Sequence, residues 1–547
     1  MRKILLIAAL QLCFMTAMQA QSNFGSFSGN FEINNQYYMK DTIIGAKNVP
    51  EKLLSNGFFN LNYVNGGVSA GIRYENYAQP LLGYDKRLAG NGIPFRFARY
   101  AGDFIDVTAG NFYEQFGSGM VFRSYEDRQL GFDNSIDGAR VKLTPGSGLN
   151  LTGVIGRMRT FWATSESLIR GIDANLELNS LFDGLKESSI IYSLGGSFVS
   201  RYQADKDPTL KLPENVGAGS FRFGLSGESF ALNAEYAMKA NDPSYTNQNS
   251  YNEGNGLLIQ GSYFTDGLGI NLNFHRIDNF DFRAERNATG TVLNMNYLPP
   301  ITKQQPYSLT AMYPYNTQLN GEIGVQAEIN YTFPKESFMG GKYPWQLSLN
   351  FSMLNSIDTT RIDKYLYDSK FGFGKKNYYQ DVSIYASKKF SPEIKSNFGF
   401  VYQKYDRDMA EKGGAPTFGM VSVMTAVADI TFKVANKQSL RTEIQHLFYK
   451  QELEAHSEYS NGNWVSGLLE YTIAPNWFFT VMDEYNYGNE FDEKKLHYYT
   501  LSAAFVHSGT RVQFGYGRQR AGILCVGGVC RLVPSSNGFN LSISTSF

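Results

Sequence analysis

The residues that could carry chemistry are few and scattered. Gly67-Val-Ser-Ala-Gly71 has the spacing of a nucleophile elbow, but that motif needs a sharp turn between a strand and a helix. Ser69 instead sits inside a run of alternating apolar and polar residues. The five histidines, His275, His446, His456, His497 and His507, are scattered without the short spacings of metal ligands, and none pairs recognisably with a serine or an acidic cluster. These residues give no reason to expect an enzyme, a metal or a cofactor. Cys525 and Cys530, in Cys-Val-Gly-Gly-Val-Cys, are a different case. If Gly527-Gly528 is a two-residue turn, the cysteines face each other with Cα atoms roughly 4.5 Å apart, within reach of a disulfide. An exported chain favours the oxidised form. Closing so short a loop stabilises by only about 2 kcal/mol in the chain-entropy model, so the bond serves to stiffen the last outer loop.

A second chemistry-bearing set is the charged residues that alternate with apolar ones. Glu32, Arg73, Glu75, Arg96, Asp106, Arg140, Lys142, Asp173, Glu177, Arg222, Glu235, Glu328, Lys395, Glu443 and Arg511 fall on one face of alternating segments. Both signs are mixed, which favours water and internal ion pairs over a single-sign field. The segment from Tyr113 to Ile136 adds Arg123, Glu126, Asp127, Arg128 and Asp133, with Gly117 and Gly119 permitting sharp turns. These five are expected to pair with charges on the alternating segments and to form a constriction. The segment from Asp278 to Asn320, with Pro299-Pro300 and Tyr313-Pro-Tyr315, is a second candidate for partial closure.

The elements that must position these residues are strands. Phe27, Phe31, Ile33, Tyr37 and Met39 alternate with polar neighbours, as do Phe59, Leu61 and Tyr63 before an Asn65-Gly66-Gly67 turn, and Val68, Ala70, Ile72 and Tyr74 after it. The pattern recurs along the chain, as in Phe221–Leu225, a Ser226–Ser229 turn and Phe230–Tyr236, and predicts about 24 strands (range 20 to 26). Short turns alternate with long polar loops such as Gln79–Pro94, Tyr113–Ile136, Ala240–Asn255, Asp278–Asn320 and Asn355–Lys376. That alternation and an even strand number are expected of an all-β transmembrane antiparallel barrel, with long loops outside and short turns in the periplasm. Paired tyrosines at strand ends, Tyr37-Tyr38, Tyr378-Tyr379 and Tyr498-Tyr499, together with Tyr74 and Tyr77, suit its interfacial aromatic girdles.

Composition agrees. Fifty basic residues balance fifty acidic ones, leaving no electrostatic footprint for nucleic acid. A mean hydropathy of −0.30 is too polar for a helical membrane bundle, and aromatic residues at 15% are too many for a disordered chain. Met1-Arg-Lys followed by the apolar run Ile4–Met15 and the small residue Ala20 reads as a signal peptide over residues 1–20, with the barrel over 21–547. The last residues, Phe539, Leu541, Ile543 and the terminal Phe547, alternate with Asn540, Ser542, Ser544 and Ser546. A final amphipathic strand ending in Phe resembles the signal read by the outer-membrane barrel-assembly machinery.

Several runs resemble a family of uncharacterised outer-membrane β-barrel proteins of Bacteroidota. They are Gly110-Asn-Phe-Tyr-Glu-Gln-Phe-Gly-Ser-Gly119, Tyr125-Glu-Asp-Arg128 with Leu130-Gly-Phe-Asp133, Met312-Tyr-Pro-Tyr315 followed by Gly321-Glu-Ile-Gly324, and Arg518-Gln-Arg-Ala-Gly522 with the two cysteines. They span most of the mature chain. The resemblance implies a fold and a location and carries no activity.

Two classes of function follow from this reading. The first is porin-like passage of a small polar solute through the lumen, with Tyr113–Ile136 setting the constriction. The second is an envelope scaffold or interaction protein with a blocked lumen. Too few residues precede the first strand to form a separate plug domain, which argues against an energised plug-bearing transporter. The expected partners are outer-membrane lipid and lipopolysaccharide and the assembly machinery. The facing rule also makes Leu349 lipid-facing and its neighbour Asn350 inward and tolerant of change.

Overall fold

A computed structural model describes residues 24–547 apart from 147, 416, 453–460 and 527–528. The expected signal peptide, His456 and Gly527-Gly528, where a turn was expected, therefore lie outside the described residues. Alternation becomes strand from the start: Ser26–Tyr38 pairs antiparallel with Leu53–Asn65, which turns through Gly66 at a positive φ of 56° into Val68–Gln79. A left-handed residue at this place matches the twist of a tight hairpin, and glycine adopts it without a Cβ clash. Each wall strand then pairs with the next until Ser536–Ser546, which pairs back onto the first strand with Phe31 opposite Thr545, Ile33 opposite Ile543 and Tyr37 opposite Phe539. The result is a closed barrel of 24 antiparallel strands. Closure satisfies every edge, which a bilayer requires because it offers no water to unpaired backbone groups.

Facing follows the predicted period for most of the chain. Phe27, Ile72, Tyr74, Ile172, Phe198, Phe221, Tyr236 and Leu349 are exposed on the outside, where lipid covers a barrel of this kind. Their neighbours Arg73, Asp173, Glu235 and Asn350 are buried within. Inside, a polar ladder runs around the wall: Gln260 donates to Asn273, Asn273 to Gln326, Gln326 to Asn350, and Asn350 to Asp381 at 2.6 Å. Asn350 is thus a tied member of the interior and not the tolerant position expected.

Four further expectations are corrected. The paired tyrosines do not all form girdles: adjacent strand residues point to opposite faces, so Tyr37 is exposed outside while Tyr38 is buried, Tyr77 and Tyr498 are buried, and Tyr378 and Tyr379 are both buried where the register shifts between Leu354 and Asn355. Arg96 does not face the lumen. The register shift between Arg73 and Glu75 leaves Tyr74 without a partner on the next strand, Gly90–Ala101. On that strand Phe95 points inward, stacked on Tyr113 at 5.2 Å, and Arg96 points outward, paired with Asp137 at 3.2 Å. The short-turn side is not uniformly short, since residues 178–190 and 333–345 connect strands there. Most of Asn355–Lys376 is not loop but the tall end of the hairpin Gln346–Arg361 and Tyr367–Lys389. Among the described residues the longest helix is Arg407–Lys412, and no helix is long and apolar enough to cross a membrane.

Candidate functional site in the lumen

The two longest loops enter the barrel. Residues 113–135 leave the wall after the strand Ile105–Phe112 and fold into two small hairpins, Gln115–Phe116 with Phe122–Arg123 and Glu126–Asp127 with Phe132–Asp133. Gly117 and Gly119 take positive φ angles of 54° and 96°. At Gly117 a Cβ would strike Arg222 and Glu235 of the wall, so a glycine is needed both for the turn and for the close approach. The Ser118 amide donates to Glu235 at 2.9 Å. Phe116, Met120, Val121 and Phe122 are fully buried against Ile136, Val154, Ile169, Val199 and Leu258 of the wall. Burying an apolar side chain of this size contributes about 1.5–3 kcal/mol, so the apolar tip anchors the loop inside.

Residues 279–320 cross the lumen. Phe280, Phe282, Leu293, Met295 and Leu298 join the cluster around the first loop. Ile301, Leu309, Met312, Tyr313 and Tyr315 pack against the other half of the wall, with Leu354, Tyr379, Tyr405, Val423, Leu447 and Trp464. Polar contacts fix the crossing: Lys303 pairs with Glu328 at 3.0 Å, Gln305 donates to Asp381, Tyr307 donates to Asp429, and the Leu309 amide donates to Gln445. The loops are tied to each other as well, through the Arg123 amide on the Met295 carbonyl at 2.7 Å and Asn134 on the Asn294 carbonyl.

The five charges singled out in the first loop divide. Asp133 pairs with Arg73 and, at 2.6 Å, with Arg159; Glu126 pairs with Arg73 at 2.9 Å; and Arg128 pairs with Glu126 and with Glu32 of the first strand, both at 2.8 Å, over the ring of Phe58. Glu75 completes the set with Arg73 and Arg159. Arg123 and Asp127 do not meet wall charges. The Arg123 guanidinium lies between the rings of Tyr125 and Tyr297, and Asp127 accepts the Leu130 amide within its own turn. Beside this network burial, with Asp133 next, drives the Tyr113 hydroxyl well above its ordinary range, so it remains protonated at its contact with Arg73. The second loop has its own latch: Asp242 accepts from Arg201 on two atoms and from Arg286. Burial alone would raise its carboxyl, but Arg201 foremost holds it below the usual carboxylate range.

Two cavities flank this filling. One of about 550 Å³ lies toward the long-loop end, lined by Glu75, Tyr84, Arg128, Asp133, Arg159 and Arg531 among others. The other, about 330 Å³, is lined by Gly117, Ser118, Asn175, Arg222, Asn233 and Glu235. The first loop therefore contributes to both.

The cysteines are disulfide-bonded across the hairpin Gly522–Val526 and Val529–Val533, with Cα atoms 4.1 Å apart. From that hairpin Arg531 stacks on Tyr84 and donates to the Gln129 and Leu82 carbonyls, joining three outer segments at the larger cavity. Of the assembly residues, Phe539, Leu541 and Ile543 lie on the closing strand opposite Tyr37, Asn35 and Ile33. Phe547 exchanges backbone hydrogen bonds with Gly29. Sequence spacing missed the histidine partners: His275 meets Glu322 at 2.7 Å, with the Tyr315 hydroxyl on the same carboxylate at 2.5 Å, and His497 meets Asp483 at 2.7 Å. Adjacent strands bring these residues together from 47 and 14 positions apart. Among the described residues no group of three or more metal-ligating side chains forms.

The fold is similar to solved barrels. The translocation pore of the P pilus usher PapC aligns at 11% identity and a TM-score of 0.45, covering 95% of this chain and 99% of that one. The siderophore receptor PirA from Pseudomonas aeruginosa aligns at 8% identity and a TM-score of 0.41, covering 96% and 81%. At this level of similarity nothing about activity carries over to this chain. Among curated proteins, none matches the sequence. A family of unknown function, DUF6029, matches residues 1–547.

Proposed function

We propose, for a chain that belongs to this family of unknown function, that it is an outer-membrane barrel through which a small polar solute passes when its inward loops yield. In this reading residues 1–20 are a cleaved signal peptide, the disulfide forms after export, and the assembly machinery reads the last strand through Phe539, Leu541, Ile543 and Phe547. The observation that carries the proposal is the place of the 113–135 loop: it lines the larger cavity with Glu126, Arg128 and Asp133 and the smaller one with Gly117 and Ser118. A path between the two cavities would run past this loop, which lines both; in this reading Arg128, Glu126 and Asp133 form the constriction, while Arg123 and Asp127 shape the loop itself.

One observation favours the second reading, a scaffold with a blocked lumen. Apolar clusters occupy both halves of the interior, which is more than a charged constriction requires. Planar-bilayer recording separates the two. Passage predicts rare openings in the native protein and frequent or larger ones in Glu235→Ala, which frees the Ser118 tip, and in a variant with residues 115–133 replaced by a short glycine linker. If both correctly folded variants stay as silent as the native protein, passage is overturned and the scaffold stands.

A further inference from the structure

The outer surface of the barrel carries a localised group of charges where lipid should lie. Asp137 is directly opposite Arg157 on the neighbouring strand, and Arg96 reaches Asp137 at 3.2 Å. Arg170 is opposite Ile155, two residues along from Arg157, so the two guanidinium groups are diagonal neighbours on one face. Facing is fixed by their neighbours: Met158 and Ile169 are buried in the interior cluster, and Ile155 and Ile172 are exposed on the same outward columns as the arginines. Height is fixed by the loops. Arg157 is three residues short of the end of Leu149–Thr160, and Arg170 is the third residue of Leu168–Glu177, both at the long-loop end. Immediately beyond Arg157, Arg159 turns inward to Glu75 and Asp133.

Each arginine therefore caps an apolar column at the rim. Charge on the lipid face is disfavoured in a depth-dependent way and is tolerated near the interface, where a counter-ion is at hand. Protein supplies too little of it. Arg157 is exposed and makes no hydrogen bond or ion pair among the described residues, and Arg170 touches only the amide oxygen of Asn215. The acids nearby are Asp137, already held by Arg96; Glu166, whose carboxyl lies below its usual range through its Lys206 partner first and Arg157 last; and Glu285, which accepts the Glu166 amide at 2.9 Å. Four cations thus face three carboxylates, and among the described residues none of the three forms an ion pair with Arg157 or Arg170. On nearby strands the outward rim residues include Tyr202, Tyr236 and Met238; farther round the barrel Lys404 and Lys450 also stand outward at this end, as lysines and not as a diagonal pair of arginines.

We propose that Arg157 and Arg170 bind the phosphate group of an outer-leaflet lipid, with Arg96 and Asp137 setting the edge of the site. Paired guanidinium groups match phosphate oxygens with charge-assisted hydrogen bonds, and the apolar columns of Ile155 and Ile172 below receive the acyl chains. A lipid is favoured over a free anion because the arginines stand on the lipid face. The proposal rests on the long-loop end being the outer end, and it needs no conduction through the lumen.

The test is lipid retention by the full-length protein in detergent, followed by native mass spectrometry with lipid A, with its dephosphorylated form and with inorganic phosphate. The native protein should hold lipid A about tenfold more tightly than the dephosphorylated form, and Arg157→Ala with Arg170→Ala should lose that margin, while the double lysine variant keeps part of it. Inorganic phosphate at equal concentration should not displace the lipid. Equal affinity of the native protein for both lipids overturns the proposal whether or not the variants fold, and displacement by phosphate overturns the choice of a lipid.

Discussion

Asp133 shows how much one side chain holds. It serves Arg73 and Arg159 at once, and both guanidinium groups are almost wholly buried. Removing one partner of a buried pair typically costs about 3–5 kcal/mol because the other charge is left uncompensated. Asp133→Asn should therefore loosen the first inward loop, seen as faster tryptic cleavage at Arg123 and Arg128, while heat-modifiable migration of the barrel on a gel stays native. Asp242 gives a pH signature. Its folded carboxyl lies below the unfolded value near 3.9, so its contribution is present above that value and is lost as pH falls through the folded pKa. Protection of residues 279–298 against hydrogen exchange, taken relative to the intrinsic rate at each pH, should be flat from neutral pH to about 5 and fall below about 4; Asp242→Asn should abolish that acid dependence. At the wall, Leu349→Arg should cost about 2–4 kcal/mol near the midplane. Asn350→Leu should cost about 1–3 kcal/mol because Asp381 and Gln326 lose their partner. Urea unfolding in lipid vesicles measures both, and a neutral Asn350→Leu would contradict the interior ladder.

At the scale of elements, the strands were legible, and of the loops only which ones turn inward. Period-2 alternation at Phe27–Tyr37, Phe59–Tyr63 and Phe539–Phe547 fixes a face because a one-residue slip would turn every apolar side chain inward. It failed at Ile93–Phe97, where apolar and basic residues exchange faces: Phe95 stacks inside on Tyr113, and Arg96 finds Asp137 outside. The register shift at Arg73 to Glu75 that sets this facing is local geometry with no signature in composition. The loop at Asp278–Asn320 was expected to close the lumen in part and in fact spans it, through contacts such as the Leu309 amide donating to the Gln445 side chain 136 positions away. Deleting Phe547 tests the closing element: the expected result is reduced assembly in cells, since its backbone pairs with Gly29 at the seam. Normal insertion of the truncated chain would remove that role.

At the scale of the whole molecule, strand number dictates the need for filling. Barrels of 16 to 18 strands leave an aqueous channel, and wider ones carry a plugged lumen. Here the filling is grown from two loops of the wall itself. Replacing residues 281–317 with a short linker should open a wide, weakly selective conductance, because the mixed charges of the wall give no single-sign field. The composition and alternation of the chain determined a closed sheet, greasy outside and polar within, because backbone amides in lipid have no other partner. Tertiary structure alone decided which charges meet, which arginines face lipid and how the lumen is filled. Those outcomes depend on register, tilt and contacts between residues more than a hundred positions apart, and local residue preferences do not encode them.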